Sequence, residues 1–239
     1  AKAAMDSGVA QYPITDWEKY EEELAERLGF DNKMVRLLAN RAKTNPKRVV
    51  FAEADHLDVL KAAQIVMEEG IGNPILLGNK EIILELKKEI GFDVDVPILD
   101  PKTSECDEKR LHYANTFWES RKRRGISLLD AQKWMRERNY FAAMMVNEGE
   151  ADALVTGFSR SYPSVVKPIM QLIDKAPGVS KIATTNMMMT NRGPMFFSDT
   201  AINIDPSAHD LAKIALMTAK TVRLFGMEPI IAMISFSNC

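Results

Sequence analysis

Four segments of this chain bring together side chains that can act on a ligand. Glu53-Ala54-Asp55-His56 sets two carboxylates and an imidazole within one turn. Such a cluster suits general acid/base work; in the alternative reading Asp55 caps the helix entered at His56. Gly157-Phe158-Ser159-Arg160-Ser161-Tyr162-Pro163-Ser164 combines a glycine, serines and an arginine ahead of a helix. Backbone N–H groups, hydroxyls and the helix dipole favour an anion there, which singles out Ser159, Arg160 and Ser161; a simply capped loop is the alternative. The Gly-Lys-Ser/Thr ending of a Walker loop is absent. Arg121-Lys122-Arg123-Arg124-Gly125 ends another helix, where cations complement the dipole or hold phosphate in bidentate geometry. In Phe196-Phe197-Ser198-Asp199-Thr200, Asp199 either orients a ligand or caps a turn. His112 and His209 fall inside helices and read as surface or structural residues.

The elements around these segments follow from hydrophobic spacing. Short apolar runs at 48–52, 74–77, 96–99, 153–156, 181–185, 194–197 and 229–234 read as strands. Helical patterns fill 57–69, 80–90, 108–122, 127–148, 165–174 and 208–225. Gly70 and Gly91 close the first two, and Ser127 with Asp130 opens the fourth. Thr15 or Asp16 starts an earlier helix, with Glu18 at capping-box spacing, a stripe of Trp17, Tyr20, Leu24 and Leu28, and Gly29 at its end. Asp31 caps the next one, which stops at Asn45-Pro46. Residues 1–14 read as a linker. Strands alternating with helices predict an α/β fold with an open, mostly parallel sheet covered on both faces. Ligands of such sheets gather at the carboxyl ends of the strands, which makes these segments the places to look. The expected organisation is a linker and connecting helix over 1–30, one α/β domain over 31–178, and the start of a second, incomplete domain over 179–239.

Composition narrows the class. The chain has 239 residues, a formal net charge of −2, 46% hydrophobic and 27% charged residues, as in folded globular proteins. Near-neutrality argues against an obligate nucleic-acid binder. No apolar run reaches the roughly 18–20 residues that span a bilayer, and the first residues lack a secretory apolar stretch. Two cysteines, Cys106 and Cys239, fit a reducing compartment, and neither has metal-ligand spacing to a partner. A cytoplasmic protein is expected. The 14 methionines, including Met187-Met188-Met189, read as core filler. The apolar run Ile230–Ile234 just before Cys239, and a start at Ala1 rather than Met, suggest a piece of a longer polypeptide.

Taken in order, the segments resemble phosphotransacetylases, the phosphate acetyl/butyryltransferase family. The matching stretches are 117–128, Tyr140-Phe141-Ala142-Ala143-Met144-Met145, 151–157, Pro168-Ile169-Met170-Gln171, Ala176-Pro177-Gly178, Phe197-Ser198-Asp199 and Met233-Ile234-Ser235-Phe236-Ser237. The leading residues 1–10 and the acidic helix after them resemble the junction between the halves of bacterial hybrid NADP-dependent malic enzymes. The resemblance implies the isocitrate/isopropylmalate dehydrogenase-like type of fold, a homo-oligomer that is dimeric or higher, and acetyl-CoA or CoA as ligand. It places one phosphate-binding arginine on Arg121 and a second on Lys167, where lysine keeps the charge and loses the planar fork. Arg160 is then a substitute for the missing guanidinium, and Phe158 and Tyr162 narrow the pocket. The family's segment with a catalytic serine and arginine belongs beyond residue 239. NADP and a divalent metal would belong to the malic domain, which would be this domain's partner within the polypeptide. The implied role is an acetyl-CoA-binding regulatory and oligomerisation domain of a malic enzyme; the alternative is an active transferase moving acetyl between CoA and phosphate.

Overall fold

The computed structural model describes residues 1–10, 12–17, 19–20, 23–24, 30–190 and 193–234, with the side chains of 30–33 left aside. Glu18, Leu28, Gly29, the 235–237 stretch and Cys239 lie outside the described residues. The chain divides into two compact units, Asn40–Ala176 and Ala1–Ala39 with Pro177–Cys239.

The Asn40–Ala176 unit is an α/β layer structure whose strands alternate their side chains between two cores. Its strands are β1 (Lys47–Phe51), β2 (Gly72–Leu77), β3 (Ile98–Leu99) and β4 (Ala153–Val155), in the order β3-β2-β1-β4 with every pairing parallel. Val50 and Ala52 enter one core while Val49 and Phe51 face the other. That alternation follows from the two-residue period of a strand. Helices α3 (Leu57–Glu68) and α4 (Lys80–Ile90) cover one face through Leu60, Ala63 and Ile83. Helices α5 (Asp107–Arg121), α6 (Leu128–Trp134) and α7 (Arg138–Asn147) cover the other through Tyr113, Phe117, Ala131 and Phe141. Helix α8 (Tyr162–Leu172) follows β4. Local chemistry sets the helix ends: Asn79 accepts from the Ile82 N–H at 3.1 Å, Gly91 takes φ 69°, and Ser127 with Asp130 closes a capping box.

The order of the strands creates one special place. From β1 the chain steps outward through β2 to β3, then returns to place β4 on the other side of β1. The carboxyl ends of β1 and β4 therefore send their connections to opposite sides, which opens a crevice between them.

The other unit holds α1 (Lys2–Asp6), and the division between the units falls within α2 (Phe30–Lys43). Strands β5 (Thr185–Thr190) and β6 (Gly193–Ser198) form an antiparallel pair, and α9 (Ala208–Leu224) opens with the Ser207–Asp210 capping box. Phe196 of β6 meets Phe225 at 5.3 Å between ring centroids, and the Thr218 hydroxyl donates to Ser198 Oγ at 2.6 Å.

Several expectations need correction. Residues 1–14 include the helical turn α1. The strand expected at 181–185 sits at Thr185–Thr190, because pairing with Gly193–Ser198 fixes its register. Its methionines are not core: Met187 is 37% exposed and Met188 55%. The helix expected over 127–148 is two helices. The N–H groups of Arg136 and Glu137 bond to the carbonyls of Lys133 and Trp134, a tightened turn that redirects the chain before Arg138. Residues 229–234 are irregular, with no ladder partner among the described residues.

Helix α7 is apolar on every side, with Tyr140 through Met145 all buried, so it is held by packing rather than by one amphipathic face. Phe141→Ala should therefore lower unfolding free energy by about 3–5 kcal/mol. Leu129→Ala, at a site 78% exposed, should change it by less than about 0.5 kcal/mol. Urea titration of both variants checks this; equal losses would contradict the described core.

Candidate functional site

The crevice is closed at its base by a carboxylate. Glu53 stands two residues after the end of β1 and is 2% exposed, a depth at which an ionised acid needs full hydrogen bonding. The turn after β4 supplies it. Gly157 adopts φ 101°, which lets successive N–H groups converge. Glu53 Oε1 accepts from the N–H groups of Gly157 at 2.7 Å and Phe158 at 3.0 Å, and Oε2 from the Ser159 N–H at 2.8 Å. The Ser159 hydroxyl also donates to Oε2, and the Thr156 hydroxyl lies 3.4 Å from Oε1. Burial alone would raise the Glu53 pKa. The Ser159 hydroxyl and the three backbone donors outweigh it and hold the group at about 2.

Asp55, two residues on, points to the opposite wall. It accepts both terminal nitrogens of Arg138 at the start of α7, with Nη1–Oδ1 at 2.6 Å. The Asn79 N–H approaches Oδ2 at 3.4 Å. Asp55 therefore does not cap α3: His56 holds the cap position, without a side-chain bond. A Cβ on Gly78 would come within 3.1 Å of the Asp55 carboxyl carbon, so glycine there keeps room for the ion pair.

Between the two walls lies a cavity of about 370 Å³, lined by Glu53, Lys133, Trp134, Glu137, Arg138, Asn139, Tyr140, Arg160, Ser164, Lys167 and Pro168. That is within the size range of small-ligand sites. Pro168 lies inside α8 and cannot donate to the Ser164 carbonyl four residues earlier. Asn139 Nδ2 reaches that carbonyl at 3.5 Å, while Asn139 Oδ1 accepts from the Thr156 hydroxyl at 2.7 Å. Trp134 stacks on Tyr140 with centroids 5.3 Å apart, Tyr140 donates to Gln171 Oε1 at 2.6 Å, and Lys167 Nζ lies 5.6 Å over the Trp134 ring. Glu53 and Arg138 already have charged or hydrogen-bonding partners. The side chains of Lys133, Arg160 and Lys167 make no ion pair or hydrogen bond with the described residues, and they face the cavity against a single further acid, Glu137. This arrangement attracts anions.

The residues singled out from sequence divide between several places. Arg160 and Lys167 line the cavity. Ser159 is outside the lining, with both its N–H and hydroxyl engaged by Glu53. Ser161 is the N-cap residue of α8, its hydroxyl 3.2 Å from that of Ser164. Arg121 is away from the cavity lining: its Nε donates to the Gln171 carbonyl at 2.7 Å, and its Nη2 lies 3.8 Å from Asp174. Asp199 belongs to the other unit, at φ 60° after β6, where it accepts from Asn203 Nδ2 at 2.6 Å. His112 sits on α5 beside Glu148, at 3.2 Å. Sequence reading missed Lys133, Trp134, Arg138, Asn139 and Tyr140. The only signal was an arginine directly after a capped helix, and its partner Asp55 is 83 residues away. Among the described residues no group of three or more His, Cys, Asp or Glu is placed to hold a metal ion, and no helix is long and apolar enough to cross a membrane.

Known proteins share this framework. The phosphate acetyl/butaryl transferase family model matches residues 33–239. The NADP-dependent malic enzyme of Salmonella typhimurium is 36% identical over 100% of this chain and 32% of its own length. The phosphate acetyltransferase of Thermoanaerobacterium thermosaccharolyticum is 37% identical over 86% of this chain and 63% of its own. The crystal structure of a phosphotransacetylase from Streptococcus pyogenes superposes with a TM-score of 0.75 at 35% identity, over 86% of this chain and 62% of that one. The chain thus spans about a third of the length of the malic enzyme it matches.

The depressed Glu53 pKa carries a stability term that is complete above the unfolded value of 4.5 and is lost as pH falls toward about 2. At neutral pH it is worth on the order of 3 kcal/mol. Wild-type stability should fall more steeply than that of Glu53→Gln between these pH values in urea titrations. Parallel slopes would contradict the assignment.

Proposed function

The chain belongs to the phosphate acetyl/butaryl transferase family, and on that premise we propose that it is the phosphotransacetylase-like C-terminal domain of an NADP-dependent malic enzyme. In this reading it binds acetyl-CoA in the crevice after β1 and β4 and acts as a regulatory and oligomerisation domain. The observation that carries the reading is the extent of the match. The malic enzyme of Salmonella typhimurium aligns over the whole chain, including the residues ahead of position 33, whereas the acetyltransferase aligns over 86%.

The cavity suits such a ligand by its chemistry. Arg160, Lys167 and Lys133 supply the cations that acyl-CoA phosphates need, and Trp134 and Tyr140 give a flat apolar wall. Binding here alters a distant active site only if the domain has two states of different affinity for the ligand. The NADP and divalent-metal sites of the whole enzyme belong, in this reading, to the malic domain.

A second reading has its own support, since a phosphate acetyltransferase and a phosphotransacetylase structure match this chain about as closely in identity. In that reaction the CoA thiolate adds to the carbonyl carbon of acetyl phosphate. The bond between that carbon and the bridging oxygen then breaks, a thioester forms, and the oxygen leaves on inorganic phosphate. Arg160 and Lys167 would hold the phosphoryl oxygens as charge shifts onto them.

Isothermal titration of acetyl-CoA into the full-length protein separates the readings from failure of both. The wild type should bind. Arg160→Glu and Lys167→Glu should each weaken binding at least tenfold, and raising salt should weaken wild-type binding. Malate oxidation should change on adding acetyl-CoA. Thiol consumption from CoA and acetyl phosphate would favour the transferase. No binding and no turnover would reject both.

A further inference from the structure

The loop after β4 has the form of an anion site, yet its donors are taken. The N–H groups of Gly157, Phe158 and Ser159, together with the Ser159 hydroxyl, all turn to the Glu53 carboxylate. Glu53 stands on another strand end, 104 residues before Gly157. The same loop then carries Arg160 and leads into α8 with Lys167, the two cavity cations on that wall. Hydrogen bonds to a carboxylate that cannot leave its strand give this loop the fixed shape that a loop usually owes to a bound ligand.

We propose that Glu53 is the built-in anion of the β4–α8 loop, a positioning residue that fixes the wall bearing Arg160 and Lys167 and reserves the loop amides from the ligand. The ligand's anionic groups are then gripped by side-chain cations alone. Two features follow. Binding pays little ordering entropy on this wall, because the loop is already shaped. A small dianion is also kept out of the amide cluster, since the carboxylate there would repel it.

The proposal rests on the anion-binding reading of the cavity, so its test has one arm that does not need a ligand. Hydrogen exchange on the unliganded wild type should show the amides of Gly157, Phe158 and Ser159 protected at least a hundredfold, although they lie in a loop. Exchange near the free-peptide rate would overturn the proposal. Protection lost on adding acetyl-CoA would also overturn it, because the ligand would then be displacing Glu53.

The second arm uses Glu53→Ala with sodium formate, a small carboxylate that can refill the vacated place. Acetyl-CoA affinity should fall at least tenfold and recover several-fold with formate, which should leave wild-type affinity unchanged. Unchanged affinity in Glu53→Ala, or a loss without recovery in a variant that stays folded by circular dichroism, would overturn it. If Glu53→Ala does not fold, Glu53→Gln takes its place and should bind more weakly than wild type; equal affinity would overturn the proposal. Should the wild type not bind acetyl-CoA at all, the functional reading fails. Amide protection and the rise of the Glu53→Ala melting temperature with formate would still decide the role of Glu53.

Discussion

The constraint on which the rest depends is the burial of one negative charge between two parallel strands. A parallel sheet that reverses its direction of growth leaves a gap at the carboxyl ends of β1 and β4. Glu53 fills the base of that gap with an ionised group, which is tolerable there only with a full set of donors. The turn at Gly157 provides them, so the conformation of one strand's exit is set by a side chain from the other. Asp55 repeats the device toward α7 through Arg138. A single turn after β1 thus pins both walls of the cavity, one by accepting backbone N–H groups and the other by accepting a guanidinium.

This arrangement also explains which charges remain for a ligand. A pocket with several cations and acids would bind little if they neutralised one another. Here Glu53 and Arg138 are committed to internal partners, while Lys133, Arg160 and Lys167 make no ion pair or hydrogen bond with the described residues. Lys167 rests over Trp134, which stacks on Tyr140, so a cation and an aromatic wall occur side by side. The proposed acyl-CoA ligand would use that combination in either reading. The two readings share the site and differ in what happens after binding.

Much of the framework was legible in the sequence because it rests on local rules. The alternating strands and helices of 47–155, the Ser127–Asp130 box and Gly91 each follow from spacing within a few residues. So did the choice of the 157–164 loop as a place for an anion. What spacing did not reveal is that the anion is Glu53, because the contact joins positions 104 residues apart. The Asp55–Arg138 pair escaped for the same reason, and so did the break before α7, where long-range packing overrode a continuous helical pattern. The methionine run shows the opposite error. Apolar character suggested core, while pairing with β6 leaves Met188 half exposed. Arg121 lies outside the cavity lining, beside the Gln171 carbonyl and Asp174.

In the proposed mode of binding an anionic ligand sits in the crevice on side-chain cations, with the carboxylate beneath it undisturbed. A crystal structure of the protein grown with acetyl-CoA tests this most directly. Ligand phosphate or acyl oxygens should lie within hydrogen-bond distance of Arg160, Lys167 or Lys133, with Glu53 still bonded to the amides of Gly157, Phe158 and Ser159. A ligand anion seated on those amides with Glu53 displaced, or a ligand bound away from this crevice, would contradict it.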